Sequence, residues 1–465
     1  MKRLLIITTA LLGTSLGTNA QAIGSGNSSG DSYFLCNTPG TPKVCGYNSQ
    51  GELGDGTTAN KSTPVSVSGL TGITAMSGGQ MHTLFLKNDS TVWSCGGNNH
   101  DQLGDGTGTD RHTPVKVSGL TGIISIAAGG LHSLFLKSDG SAWACGSNIN
   151  GQLGDGTTAG KSIAVKVLSD ITAIAAGNTY SLFLKNDGSV WGCGMNAFGQ
   201  LCKGVPTGYW VNIPVQVTGL SNIVAIAAGL SHSIFLKGDG TVWACGANTS
   251  GQLGNGTTIS NDTLVQVSGL SGITAIAAGS GHSLFLKNDG SVWACGDNTY
   301  GELGDGTTIE RNTPIQVSGL SGITAIAAGG VAFSLFLKSD GSFWACGRNN
   351  NGQLGDGTII DRLIPVEVAP CSNVGIEAVN NRFSGFTVSP NPANNNLVLK
   401  APSGIPSAGR TPGQFVIKIY NTIGQQVYQS SSQSLQVDVS SLSSGVYYVQ
   451  LFDGEKQNWG KFVKD

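Results

Sequence analysis

Residues 273–322 read ITAIAAGSGHSLFLKNDGSVWACGDNTYGELGDGTTIERNTPIQVSGLSG, and this stretch is the clearest copy of a unit that fills most of the chain. Each unit is marked by a cysteine followed by Gly-x-Asn, which recurs at intervals of about 50 residues. Units with a fixed period of this length bury their apolar faces only by stacking on their neighbours. The marker cysteines are Cys45, Cys95, Cys145, Cys193, Cys245, Cys295 and Cys346.

Every unit contains four short segments with the residue pattern of β-strands. T-P-V-x-V alternates apolar and polar residues, whereas I-T-A-I-A-A is continuously apolar, as in a strand covered on both faces. H-S-L-F-L-K and S-V-W-A-C-G follow, separated by Asp-Gly, which is a strong hairpin signal. Seven such units predict an all-β fold, a seven-bladed β-propeller built from four-stranded repeats of about 50 residues.

The two ends of the repeat region predict how the ring closes. Two strands precede the first marker cysteine and two follow the last, at residues 32–35, 42–46, 364–368 and 372–378. We therefore expect one blade to combine strands from both ends of the chain, which leaves no exposed sheet edge. On this assignment the propeller spans residues 31–379.

The N-terminus has the pattern of an export signal. Residues 1–22 begin with a Lys-Arg pair, continue with an apolar run and end in Ala-Gln-Ala, which predicts a secretory signal peptide. Residues 23–30 are predicted to be a flexible leader. The net charge of −2 provides no basic field for nucleic acid, and no later stretch is apolar for the roughly 18 residues that a membrane span needs. We expect an exported monomer that neither binds nucleic acid nor spans a membrane.

The C-terminal region has a different residue pattern. The repeat period ends near Val379, and residues 380–465 are polar with short alternating strands separated by turn signals. Residues 415–420 and 446–451 are the clearest of these strands. This pattern predicts a small β-sandwich.

Both regions resemble known families. A-A-G-x-x-H-S, C-G-x-N-x-x-G-Q-L-G-D-G-T and the repeat period resemble the regulator of chromosome condensation propeller repeats. The C-terminal blocks S-P-N-P, I-Y-N-x-x-G-Q-x-V and V-D-V-S-S-L-S-S-G-V-Y-Y-V resemble the C-terminal sorting domain of the type IX secretion system. The second resemblance implies a bacterial protein that engages the type IX machinery and is released outside the cell or attached to the outer-membrane surface.

The cysteines raise the question of disulfides and metals. Equivalent positions on neighbouring blades lie roughly 10 Å apart, too far for a disulfide or a shared zinc ion, so the marker cysteines are interpreted as small core residues. Cys36 and Cys371 come from opposite ends of the predicted closing blade and should lie side by side, which predicts a disulfide between them. Cys202 replaces a turn glycine in the fourth unit, and no partner for it is evident from the sequence.

Repeated polar residues are interpreted as structural, and no catalytic residue, cofactor or metal site is predicted. His82, His132, His232 and His282 share one repeat position that holds Asp31, Tyr180 or Phe333 in other units, a pattern that a metal ligand or a base would not tolerate. The aspartates of G-D-G-T supply one carboxylate per blade, whereas calcium needs six to eight clustered oxygens, so they are interpreted as turn formers. The sequence also lacks the common motifs of hydrolases, metalloproteases and phosphate-binding loops.

Variation between units indicates where a ligand would bind, because the scaffold leaves those positions free. Aromatic residues at variable loop positions are the candidate binding residues, namely Tyr47, Phe198, Tyr209, Trp210 and Tyr300. The leading hypothesis is a secreted or surface propeller that binds a protein or a glycan without catalysis. The alternatives are a guanine-nucleotide exchange activity, which the family resemblance implies, and a lyase with its site at the channel mouth.

Overall fold

The computed structural model describes residues 23–25, 30–36, 40–202, 209–368, 370, 387–389, 393, 396–400, 415–421, 425–432, 436–452 and 457–464. The chain divides into two compact units, Met1–Cys371 and Ser372–Asp465. The predicted signal peptide at residues 1–22 and the predicted domain boundary between residues 379 and 380 lie outside the described residues.

In its described residues the first unit forms seven antiparallel four-stranded sheets, and each sheet is built from four strands that are consecutive in the chain. We number these sheets as blades 1 to 7 in chain order. The first strands are β1 (Ile23–Ser25), β5 (Ile73–Gly78), β9 (Ile123–Ala128), β13 (Ile171–Ala176), β17 (Ile223–Ala228), β21 (Ile273–Ala278) and β25 (Ile323–Gly329). The second strands are β2 (Asp31–Cys36), β6 (His82–Lys87), β10 (His132–Lys137), β14 (Tyr180–Lys185), β18 (His232–Lys237), β22 (His282–Lys287) and β26 (Phe333–Lys338).

The remaining strands of each blade follow in the same order. The third strands are β3 (Thr41–Gly46), β7 (Val92–Gly96), β11 (Ala142–Gly146), β15 (Val190–Met195), β19 (Val242–Gly246), β23 (Val292–Gly296) and β27 (Phe343–Gly347). The fourth strands are β4 (Lys61–Ser66), β8 (Arg111–Lys116), β12 (Lys161–Leu168), β16 (Trp210–Gln216), β20 (Asn261–Gln266), β24 (Arg311–Gln316) and β28 (Arg362–Val368).

The seven blades form a closed ring. The first strands of neighbouring blades contact one another all the way round, and β25 of blade 7 contacts β1 of blade 1. The predicted seven-bladed propeller is therefore confirmed, with the first strands closest to the ring axis.

The predicted mode of closure is wrong. Blade 1 takes all four strands from the N-terminal part of the chain, and β28 is the fourth strand of blade 7 instead of the first strand of a shared blade. The prediction of a flexible leader fails at Ile23–Ser25, because Ile23 is buried and pairs with Phe34. The predicted closing strand at residues 372–378 lies outside the described residues.

The hydrophobic core lies mainly between blades. In one cluster Leu236 and Val242 of blade 5 pack with Phe285 and Cys295 of blade 6. Fully burying one such large side chain contributes about 1.5–3 kcal/mol. Since each blade buries its face against the next, stability depends on the stacking that the repeat period predicts.

The part of the second unit that the structure describes forms two antiparallel sheets that share one core. One sheet has the order β29 (Thr387–Ser389), β30 (Asn396–Lys400), β33 (Gln436–Asp438), and the other β32 (Gln426–Ser432), β31 (Phe415–Asn421), β34 (Gly445–Phe452), β35 (Gln457–Lys464). Leu397 and Val437 of the first sheet pack with Ile417 and Val449 of the second. This arrangement confirms the predicted β-sandwich. Within the residues described in both units, no helix is long and apolar enough to cross a membrane.

Candidate functional site

In six of the seven blades the loop after the marker cysteine is organised by one buried asparagine. In blade 6 the side chain of Asn298 donates from Nδ2 to Oδ1 of Asp305 (3.0 Å) and to the carbonyl oxygen of Ile309 (3.1 Å). Its Oδ1 accepts the backbone N–H of Leu303 at 3.0 Å. A single side chain thus fixes three points of the loop, and the equivalent asparagines of blades 1, 3, 5 and 7 make similar contacts.

The aspartate of G-D-G-T is a turn residue, as the sequence predicts. Asp305 accepts the backbone N–H and the hydroxyl of Thr307 at 2.9 Å and 2.8 Å, and its Oδ2 lies 2.7 Å from the guanidinium of Arg311. Burial alone would raise the pKa of Asp305, but the hydrogen bonds from Arg311 and Thr307 lower it below its ordinary value. The carboxylate therefore stays ionised and serves the turn. Among the residues described, no group of three or more histidines, cysteines or carboxylates is placed to hold a metal ion.

The histidines join neighbouring blades. Nε2 of His282 in blade 6 lies 3.1 Å from Oγ of Ser334 in blade 7, and that hydroxyl donates to the carbonyl oxygen of Glu302 at 2.7 Å. Burial lowers the pKa of His282 to about 4, so the ring is neutral at physiological pH. The same pairing joins His82 to Ser133, His132 to Ser181 and His232 to Ser283. The structural interpretation of these histidines fits this geometry.

A second contact between blades involves the marker cysteines. The first glycine of G-D-G-T approaches the marker thiol of the next blade so closely that a Cβ added to it would lie 2.8–3.0 Å from Sγ. The six glycine–cysteine pairs are Gly54 with Cys95, Gly104 with Cys145, Gly154 with Cys193, Gly254 with Cys295, Gly304 with Cys346 and Gly355 with Cys45. The last pair joins blade 7 to blade 1.

Blade 4 carries Cys202 at this glycine position, and Cys202 forms a disulfide with Cys245 of blade 5 with a Cα–Cα distance of 5.7 Å. The interpretation of Cys245 as a free core residue was therefore wrong. Equivalent positions are too far apart to be bridged, but the turn position of one blade contacts the marker position of the next. Cys45, Cys95, Cys145, Cys193, Cys295 and Cys346 are free and buried.

Cys36 is also disulfide-bonded. Its predicted partner, Cys371, lies outside the described residues, so the Cys36–Cys371 pairing stays a prediction.

Three buried carboxyl groups lie at the seams between blades. Glu302 and Glu52 occupy a position that is glutamine in the other blades, and each accepts a backbone N–H two residues earlier through Oε2. Burial, aided by the charge of Asp297, raises the pKa of Glu302 to about 8. Burial also raises the pKa of Glu52. It raises the pKa of Asp31 well above its ordinary value.

The candidate binding residues fall in three different blades. Phe198, Tyr209 and Trp210 belong to blade 4 and are 49%, 78% and 45% exposed. The carbonyl oxygen of Tyr209 accepts the backbone N–H of Asn196 at 2.7 Å, and Trp210 pairs with Met195 across the sheet. The structure therefore brings these three aromatic residues together on one blade. The predicted loop that precedes them, residues 203–208, lies outside the described residues.

The other two candidates are half-buried and lie elsewhere on the ring. Tyr47 of blade 1 accepts a hydrogen bond from Ser49 at 2.5 Å. Tyr300 of blade 6 lies under the guanidinium of Arg348, 4.8 Å from its ring centroid, which is cation–π geometry. Neither residue lies in the same blade as the blade 4 aromatics.

Comparison with known families supports the repeat assignment. The RCC1-like domain matches residues 119–389, and the regulator of chromosome condensation (RCC1) repeat matches residues 44–86 and 89–136. The secretion system C-terminal sorting domain matches residues 387–465. This last domain marks proteins that the type IX system secretes to the cell surface or the extracellular space. No curated protein matches the chain.

Solved structures match the propeller fold. Prp20p from Saccharomyces cerevisiae is 24% identical with a TM-score of 0.64, and the match covers 76% of this chain and 89% of the Prp20p chain. The same yeast protein bound to Kap60 is 21% identical with a TM-score of 0.65, covering 83% of this chain and 93% of its own. Human WBSCR16 is 24% identical with a TM-score of 0.61, covering 67% of this chain and 86% of its own.

Proposed function

Because the chain belongs to the RCC1-like domain family and its C-terminal region matches a secretion sorting domain, we propose that it is a non-catalytic binding protein displayed or released outside the cell. Its propeller would recognise a protein or a glycan through variable loops. The ring contacts described above supply a rigid frame, and a rigid frame lowers the entropy cost of binding.

The observation that carries this proposal is the aromatic surface of blade 4, formed by Phe198, Tyr209 and Trp210. Tyrosine and tryptophan dominate the energetics of many interfaces, and their ring faces also suit the apolar faces of sugars. By strand register Tyr209 corresponds to Ala59 of blade 1 and Ala159 of blade 3, which carry only a methyl group.

A binding experiment tests this proposal. The purified protein and a Tyr209→Ala, Trp210→Ala variant would be applied to a glycan array and to immobilised outer-membrane extract. We expect the double variant to lose at least about tenfold in affinity for whatever the parent binds, as expected for the loss of two aromatic anchors. Unchanged unfolding temperatures would show that both proteins are folded.

An Ile149→Ala, Ile163→Ala variant serves as the matched control. Both isoleucines are exposed residues of blade 3, so their removal changes a comparable area of apolar surface at another place on the ring. Equal loss of binding in the two variants would contradict a site on blade 4, and absence of any binding by the folded parent would contradict the proposal as a whole.

Guanine-nucleotide exchange is the second candidate, and family membership alone favours it. Export places the protein away from cytoplasmic GTPases, which argues against it. Release of a labelled guanine nucleotide from a panel of small GTPases, measured with and without the purified protein, tests it directly. Acceleration of release would favour exchange over the binding role.

A further inference from the structure

One loop position distinguishes blades 5 to 7 from blades 1 to 3. The carbonyl oxygen at this position accepts Nδ2 of the buried loop asparagine at 3.1–3.2 Å wherever the residue is Ala59, Ala159, Ile259, Ile309 or Ile360. The backbone is therefore held in the same way whether the side chain is alanine or isoleucine. Ile259, Ile309 and Ile360 are 71%, 59% and 61% exposed, so their side chains add no packing that the loop requires.

These isoleucines lie in loops that touch one another. The turn of blade 5 donates from the backbone N–H of Gly256 to the carbonyl oxygen of Asn312 in blade 6, at 2.8 Å. The turn of blade 6 makes the same bond from Gly306 to Leu363 of blade 7, at 3.0 Å. The loops of blades 5, 6 and 7 are thus continuous. We call the surface formed by Ile259, Ile309, Ile359, Ile360, Leu363 and Ile364 the isoleucine arc.

The arc widens on blade 7. Leu363 and Ile364 are exposed there, whereas blade 6 carries Asn312 and Thr313 at the same two positions. Single exposed apolar residues are ordinary, but exposed apolar residues repeated on neighbouring loops are candidates for an interaction site. In blade 4, Tyr209 precedes Val211 by two residues as Ile259 precedes Asn261 in blade 5, and the register pairs Val211 and Asn261 with equivalent glycines, Gly194 and Gly246.

Charge indicates what kind of partner fits the arc. Asp262, Glu310 and Asp361 are exposed beside the isoleucines, and none of them takes part in an ion pair among the described residues. Oδ1 of Asp361 also accepts the backbone N–H of Asn349 at 2.7 Å. Arg311 and Arg362, the nearest cations in sequence, are held by Asp305 and Asp356 at 2.7 Å and 2.6 Å. The surface is therefore apolar with unpaired negative charge.

We propose that the isoleucine arc binds a polypeptide segment in which apolar side chains alternate with lysine or arginine. The apolar side chains would cover the isoleucines, and the cations would face Asp262, Glu310 and Asp361. This inference rests on the proposed binding function and assigns it a second surface and a class of partner. The arc extends over the loops of three consecutive blades, so its partner must be elongated. An extended polypeptide segment meets this requirement.

The test uses a labelled synthetic peptide of alternating leucine and lysine, with binding to the full protein followed by fluorescence anisotropy. The variant Ile259→Ala, Ile309→Thr, Ile360→Ala carries the residues that blades 1 to 3 use at this position, so it should fold like the parent. We expect its affinity for the peptide to fall by about tenfold or more. Equal affinity for parent and variant would overturn the proposal.

Peptide controls separate the apolar and the charged contributions. A leucine–glutamate peptide should not bind, because its charge matches that of the arc, and a serine–lysine peptide should bind weakly. The variant Asp262→Asn, Glu310→Gln, Asp361→Asn should bind the leucine–lysine peptide less tightly and with little dependence on salt. Equal binding of the leucine–glutamate peptide would contradict the proposed partner chemistry.

Gain of binding and self-association complete the test. The variant Ala59→Ile, Thr109→Ile, Ala159→Ile extends the apolar surface to blades 1 to 3 and should bind the leucine–lysine peptide at least as tightly as the parent. A concentration-dependent dimer that the isoleucine substitutions abolish would mean that a second copy covers the arc, and would overturn the proposal. Failure here leaves the blade 4 site standing if the Tyr209→Ala, Trp210→Ala variant still loses binding.

Discussion

The disulfide between Cys202 and Cys245 replaces a glycine–thiol contact that the other six blade interfaces share. Cys202 has a φ of 58°, in the left-handed region that its glycine counterparts also use. A side chain placed there points directly at the marker thiol of the next blade. One substitution in one repeat is therefore enough to convert a packing contact into a covalent bond between blades 4 and 5.

Removal of this disulfide should destabilise the propeller. The bond closes a loop with a sequence separation of 43 residues, and the chain-entropy model assigns such a loop ~4 kcal/mol of unfolding free energy. We expect Cys202→Ser to lose most of that amount in chemical denaturation. Cys202→Gly should lose less, because glycine restores the contact found in the other blades and relieves the positive φ. Equal losses for the two variants would contradict this account.

A second disulfide should form where a glycine is changed to cysteine. A Cβ on Gly104 would lie 2.8 Å from Sγ of Cys145, the relationship that Cys202 has with Cys245. We expect Gly104→Cys to form this bond under oxidising conditions, detectable by non-reducing peptide mapping. Gly106→Cys is the control, since its nearest neighbour atoms belong to Ile163 at 3.8 Å and no thiol is close. A free thiol at position 104 would argue against the proposed equivalence of the interfaces.

The carboxyl of Glu302 should make stability fall as pH rises. Its pKa is about 8 in the folded protein against an ordinary value of 4.5, so its contribution is complete below about pH 4.5 and is lost as pH rises towards 8. We expect Glu302→Gln to reduce the slope of unfolding free energy in this window by about 1.4 kcal/mol per pH unit. Gln252→Glu, at the same position of blade 5, should steepen it. Parallel profiles for parent and Glu302→Gln would refute the assignment.

The buried histidines should act in the opposite direction. The pKa of His282 is about 4, below its ordinary value of 6.5, so its contribution is present above about pH 6.5 and is lost as pH falls towards 4. His282→Phe introduces the residue that blade 7 carries as Phe333, and we expect it to weaken acid destabilisation in this window. Thermal unfolding from pH 7 to pH 4 measures the effect. His112→Phe, at an exposed position, should leave the profile unchanged.

The repeat pattern alone was sufficient to predict the propeller, because the marker cysteine and the Asp-Gly hairpin recur in register. It could not decide which neighbour the T-P-V-x-V strand pairs with. The alternation of apolar and polar residues around Val65 or Val265 is the same whether that strand is the first of a blade or the last. In the structure the strand is the last of its blade, because Val65 and Val265 pair with the strand that carries the preceding marker cysteine. The predicted closing blade is wrong for this reason.

The site was less predictable than the fold. Comparing the same position in successive repeats does not pair Cys202 with Cys245, because the two cysteines occupy different repeat positions. The one signal in the sequence is that Cys202 stands where the other units have a turn glycine. Ile259, Ile309 and Ile360 carry no distinguishing signal in the sequence, because sequence alone does not tell which residue of a loop faces solvent. The direction of each side chain depends on the bond from the buried asparagine to its carbonyl oxygen.

Among the strands that the structure describes, no blade is split between the two ends of the chain, and this has an evolutionary consequence. The sheets of blades 1 and 7 are each complete, and they meet through side-chain and backbone contacts such as the 2.6 Å hydrogen bond from Ser32 to the carbonyl oxygen of Gln353. A duplication or deletion of one repeat anywhere in the gene would add or remove a whole sheet and leave every other sheet intact. The ring would then close through the contact between the new first and last blades. The number of repeats can therefore change while the ring closes by the same kind of contact.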